Sequence, residues 1–213
     1  MRLHLGCGER RLAGYHNVDF AADNHTVLNP AADEFADITA LHYPAASVEE
    51  IRLHHVFEHF SRADSVALLL VWQSWLQPGG TVRIEVPDFA ASARAALGFM
   101  TGRRRQAVAI RHIFGSQEAG WADHKTGYTA ATLRDLLSRC GLVPGRLRKT
   151  AWRGTYNIDL TATRSTAGIP RDRWEAVAFD YLSQFPVDTG ESESRMFAVW
   201  QKHVVAQFQK SGY

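Results

Sequence analysis

The chain has 213 residues, 46% apolar and 22% charged, with a formal charge of +2 and a pI near 8.6. That length suits one domain, or one with an appendage, large enough to bury a core without disulfide or metal. The charge is too mild to point to nucleic acid, two distant cysteines make no disulfide framework, and the apolar run over 66–72 is too short for a bilayer, which needs about 20 residues.

Cysteine usage of this kind suits a reducing compartment, and Met1 runs almost at once into a strand-like segment, leaving no room for a signal peptide. A cytoplasmic protein without membrane insertion is expected. The cluster Arg103-Arg104-Arg105 could meet a phosphate, but charge runs of this length usually mark a solvated helix face.

In chain order, RLHLG brings Leu3 and Leu5 into a glycine, the pattern of a short buried strand entering a turn. Residues 15–20 and 35–38 predict two further strands, and 48–56 a fourth. Ser61 then starts a helix that Pro78-Gly79-Gly80 should stop, and 81–89 alternates Val82, Ile84 and Val86 up to Pro87. Residues 129–141 form an amphipathic helix capped by Thr129 and ended by Gly141, followed by a terminal hairpin over 142–165. Beyond 166, two helical patterns flank PVDTGESE. Their many aromatics demand burial, by default on the protein's own core, otherwise in a homodimer, a lid over the site or a partner protein.

Alternating strands and helices argue for an α/β protein with a mostly parallel sheet, whose ligands bind beyond the carboxyl ends of the strands. The residues that would meet there are Gly6, Cys7, Gly8, Asp19, Asp37, the segment 55–59 and Asp88.

Two readings compete for that rim. His55-x-x-Glu58-His59 spells a zinc-peptidase pattern, but such ligands belong on one helix, whereas here they straddle a strand end and a loop. A strand would turn His55 and Glu58 to opposite faces, and Glu85, Glu118 and Asp123 offer no recognisable third-ligand motif, so no resident metal is expected. The glycine turn points elsewhere. Glycines at 6 and 8 let backbone approach a ligand, Arg11 breaks the dinucleotide fingerprint, and acids ending strands two and three can take ribose hydroxyls and an adenine amino group.

In LHLGCGERRLAGYHNVDF, DITALHYPAASVEEIRLHHVFEHF, LVWQSWLQPGGTVRIEVPDF and HKTGYTAATLRDLLSRCGL, the chain resembles the class I S-adenosylmethionine-dependent methyltransferases, and most nearly the small bacterial ones found beside polysaccharide genes. The resemblance covers about 1–165 and implies a Rossmann-like sheet with helices on both faces, with 166–213 as a helical appendage. It implies S-adenosyl-L-methionine as cofactor. Gly6, Cys7 and Gly8 would bracket its methionine end, Asp19 would bind ribose, Asp37 with the Ile38 backbone would hold adenine, and His55 would sit by the sulfonium. His4 and Arg10 depart from the usual pattern, and ten residues between Gly8 and Asp19 leave little room for a first helix.

Methyl transfer is an in-line displacement, and a hydroxyl acceptor must also lose a proton. His59 is the expected base, with Glu58 orienting it or the substrate and His124 a second candidate base. Residues 115–129 form a long loop suited to an acceptor wall, in which Trp121 and Tyr128 either stack on a sugar or pack in the core. The acceptor class implied is a hydroxyl, less readily an amine, on a sugar or glycan-linked small molecule. A non-catalytic cofactor-binding scaffold and, remotely, the zinc peptidase are the alternatives.

Overall fold

The computed structural model describes residues 1–21, 23 and 27–213. Among them, seven strands form one sheet: β1 (Arg2–Leu5), β2 (His16–Asp19), β3 (Glu34–Phe35), β4 (Val48–His54), β5 (Leu76–Pro87), β6 (Leu142–Trp152) and β7 (Thr155–Arg164). Their order is β3-β2-β1-β4-β5-β7-β6. The first five run parallel, while β7 lies antiparallel to both β5 and β6. Leu3, Leu5, Ile51, Leu53, Val82 and Ile84 lie in register on one face of the sheet and are all buried, while the alternate positions of the same strands carry His4, Arg52 and Arg83.

Helix α1 (Arg62–Trp75) starts at Ser61, whose hydroxyl accepts from the Asp64 amide. It is apolar on nearly all sides, and such a helix needs cover on both faces. The C-terminal helices supply it. After α2 (Phe89–Leu97), α3 (Arg103–Phe114) and α4 (Ala130–Arg139), helices α5 (Trp174–Leu182) and α6 (Glu191–Lys210) pack on α1 and add Trp174, Leu182, Val204 and Phe208 to one continuous core. Trp75 Nε1 donates to the hydroxyl of Tyr213 at 3.0 Å, tying the last residue to the end of α1.

Several predicted boundaries move. Strand β3 stops at Phe35 and β4 at His54, so Asp37, Ile38 and His55 lie just past strand ends. Helix α1 ends at Trp75, before Pro78-Gly79-Gly80; these residues fall within β5, where the pairing with β4 shifts register between Val48 and Glu50. No helix forms over 6–15, the short span having room only for turns. Thr129 caps α4 in a reciprocal capping box with Thr132, and Gly141 follows with φ +74°. Arg103, Arg104 and Arg105 are exposed in the first turn of α3. No helix among the described residues is long and apolar enough to cross a membrane.

Candidate active site

The carboxyl ends of β1, β2 and β4 open into a cavity of about 710 Å³, within the range of small-molecule sites. Gly6, Cys7, Gly8, Asp19, Asp37, Ile38 and His55 all line it. Gly6 and Gly8 have φ of +67° and +53°, and a Cβ on Gly6 would stand 2.3 Å from Val56 Cγ2. The turn therefore needs glycine at position 6 twice over, for the left-handed backbone and for the approach to Val56. Asp19, nearly buried, braces the turn by accepting from the Gly8 amide at 2.5 Å and the Phe20 amide at 2.7 Å.

Asp37 makes the local turn its sequence suggests, Oδ1 accepting from the Thr39 amide and hydroxyl. Its Oδ2 meets Lys210 of α6 at 2.7 Å. Burial opposes ionisation there, yet the Lys210 and Thr39 contacts prevail and hold the carboxyl below its ordinary range. Beside it, Gln207 Nε2 donates to the Thr39 carbonyl at 2.7 Å, so α6 braces the loop after β3. Ala206, Gln207 and Lys210 line the cavity itself. Sequence reasoning missed this wall, because a helical period says which positions are apolar and not what the polar ones face.

The segment after β4 is built differently from the expectation. His55 adopts φ +55°, a rare conformation for a side chain of its size, and the chain turns at once into a 3-10 turn over Phe57–His59. The His55 amide still donates to the Glu85 carbonyl at 2.9 Å. With the strand pleat ended at His54, His55 and Glu58 are not on opposite faces; His55 Nδ1 lies 3.1 Å from Glu58 Oε1. Glu58 was expected to face the acceptor and orient His59 or the substrate. Instead it is 1% exposed and pairs with His55, because the turn drives its side chain inward. Burial works against both charges, yet their mutual attraction prevails, raising the His55 pKa and lowering that of Glu58. Glu58 Oε2 has no hydrogen-bond partner among the described residues.

His59 lines the cavity, and its Nδ1 meets the Asp123 carbonyl at 3.1 Å. His124 sits behind it, ring centroids 4.8 Å apart, with Nδ1 3.1 Å from the His112 carbonyl and Nε2 3.9 Å from Glu58 Oε1. Burial lowers the pKa of His124. The 115–129 loop is fastened over this cluster by Lys125 and Thr126 amides donating to the Glu58 carbonyl. Trp121 and Lys125 reach the cavity, whereas Tyr128 is core, stacked on Phe57 with its hydroxyl donating to Ser65. His4 and Arg10, the departures in the glycine turn, lie off the cavity lining; His4 is buried beside Asn17, 3.1 Å from Oδ1.

No family model and no curated protein matches the sequence. Solved structures do match. An S-adenosylmethionine-dependent methyltransferase of Mesorhizobium loti aligns at TM-score 0.53 and 16% identity, over 76% of this chain and 90% of that one. The Burkholderia thailandensis 1,6-didemethyltoxoflavin-N1-methyltransferase, with bound 1,6-didemethyltoxoflavin and S-adenosylhomocysteine, aligns at 0.52 and 12% identity, over 77% and 70%. At such identities the likeness establishes the fold, and the fold is that of the class I methyltransferases. The zinc-peptidase reading is not favoured: its motif lies on a strand end and a 3-10 turn instead of a helix.

Proposed function

We propose that the chain is an S-adenosylmethionine-dependent methyltransferase acting on a hydroxyl, less readily an amine, of a sugar or glycan-linked small molecule. The observation that carries this reading is the convergence of Gly6, Gly8, Asp19, Asp37, His55 and His59 on one cavity, beyond the strand ends of a methyltransferase-type sheet. The neighbour solved with S-adenosylhomocysteine supports the cofactor. When bound, the cofactor supplies an electrophilic methyl group on a sulfonium.

The chain's own groups fit such a ligand. The turn at Gly6, Cys7 and Gly8 brings bare backbone to its methionine end, Asp19 receives ribose hydroxyls, and Asp37 with the Ile38 backbone receives the adenine edge. His55, fixed by Glu58, stands at the end of β4 toward the reacting centre. His59 is the base: with Nδ1–H donating to the Asp123 carbonyl, Nε2 keeps a lone pair for the acceptor's proton. His124 backs it, and Trp121 offers a stacking face to a sugar ring. Residues 1–165 form the cofactor-binding unit, and the appendage at 166–213 closes the adenine end through α6. The setting in polysaccharide assembly and the cytoplasm rests on the sequence resemblance and cysteine usage.

Titration calorimetry with S-adenosylmethionine, followed by label transfer to a panel of free sugars, nucleotide sugars and amines, tests the reading. Saturable binding with transfer to a hydroxyl acceptor is expected. Cofactor binding without transfer to any acceptor, unchanged in His59→Ala, would favour the non-catalytic scaffold.

A further inference from the structure

One group in the cluster is left unexplained by proton transfer. Glu58 is 1% exposed, yet its Oε2 has no hydrogen-bond partner among the described residues. A buried ionised oxygen without a partner is costly, and native structures rarely retain one without a use. Near the same carboxylate stand two histidines prepared alike: His124 Nε2 lies 3.9 Å from Oε1, and His59 and His124 each set Nδ1 against a backbone carbonyl, at 3.1 Å in both cases. A carbonyl partner of this kind fixes the tautomer with the proton on Nδ1 and the lone pair on Nε2, as it does behind metal-bound imidazoles. One oxygen of Glu58 and one nitrogen each of His59 and His124 all lie within 4.8 Å of one another.

We propose that Glu58, His59 and His124 form a binding site for a divalent transition-metal ion, with coordination positions left open toward the cavity. Two imidazoles and a carboxylate suit zinc and its borderline neighbours, and a three-residue set with an open position is the arrangement of catalytic, not structural, sites. Ligands at about 2.0–2.2 Å from a tetrahedral ion stand roughly 3.5 Å apart, so binding draws these side chains in by about an ångström. Two features make closure feasible: His59 is partly exposed and His124 reaches in from a loop. The set is not the peptidase motif, since His55 is a partner of Glu58 in it and His124, 69 residues beyond His55, replaces it as ligand.

The site stands independently of the methyltransferase reading, but its use rests on it. An ion held here would take the acceptor's hydroxyl oxygen in an open position and weaken its O–H bond, the proton passing to solvent and the electron pair staying on oxygen. His59 would then serve as a ligand and not as the base.

The test uses the full chain without an affinity tag, stripped with chelator and titrated with zinc chloride by calorimetry, with cobalt(II) absorption as a second readout. One ion per chain at micromolar affinity or tighter is expected. His59→Asn and His124→Asn should each weaken it roughly tenfold or more and alter the cobalt spectrum, and His16→Asn, far from the cluster, should not. Glu58→Gln should do the same if it folds; the two histidine variants decide the matter if it does not. Absence of saturable binding, binding unaffected in the His59→Asn/His124→Asn double variant, or binding lost only on changing His54 and Glu85 would overturn the proposal. S-adenosylmethionine titrated into the stripped chain separates the two readings: cofactor binding without zinc binding sinks the metal site alone, and the reverse sinks the methyltransferase reading.

Discussion

Position 6 carries two demands that a side chain cannot meet together. In Gly6→Ala the left-handed backbone costs about 1–2 kcal/mol, and the new Cβ must also displace Val56. Gly14, with φ +79° and open space around it, is the control: Gly14→Ala should carry the backbone cost alone. Thermal denaturation of the two variants is expected to place Gly6→Ala well below Gly14→Ala and to weaken S-adenosylmethionine binding only in the former; equal losses would show that the contact with Val56 is unimportant. Cys7, in the same turn, should be inert. Burial, reinforced by the charge of Asp19, pushes its thiol up to about 11, so thiol reagents at pH 8 should find no reactive cysteine at position 7 in the folded chain, and rapid labelling there would contradict the closed turn. Glycines and acids at strand ends were legible because backbone conformation and charge are properties of a single residue. The left-handed His55 was not, since nothing in RLHHV distinguishes a histidine that continues a strand from one that ends it.

Among the elements, the β2–β3 edge holds the clearest pH dependence. Asp33 accepts from the Asn17 side chain and amide, both at 2.9 Å, and pairs with Arg11. Those Asn17 hydrogen bonds, with Arg11 adding to them, hold its carboxyl at about 2. A folded value below the unfolded one, about 3.9, means that Asp33 supports the fold above that pH and loses its contribution as pH falls toward 2. Following the Asp33 carboxyl by NMR through an acid titration is expected to give a midpoint near 2, and a midpoint in the ordinary carboxylate range would show these hydrogen bonds are not formed in solution. The strands themselves were readable from short apolar runs, but their ends were not. Strand β3 stops before Asp37 and β4 before His55, and these early endings free both residues to turn into the cavity.

For the molecule as a whole, the nearly all-round apolar α1 is the element on which the C-terminal helices α5 and α6 pack. Its sequence announced burial; what covered it could not be read, since α5 and α6 lie more than 90 residues away and periodicity says nothing of which faces meet. Deleting 166–213 uncovers α1 and removes Trp174, Tyr181, Leu182, Val204 and Phe208 from the core. The 1–165 fragment is expected to lose a cooperative thermal transition; a melt matching that of the full chain would show that these helices add nothing to its stability. The long-range return of His124 to Glu58 was equally hidden, and so was the pairing of Glu58 with His55, since both depend on how the chain turns after β4.

The most direct measurement is a crystal structure of the full chain with S-adenosylhomocysteine. Its ribose should lie against Asp19, its adenine between Asp37 and α6, and its sulfur beside His55 and the glycine turn. An adenosyl group bound away from both aspartates, or density for the ligand outside this cavity, would contradict the proposed function.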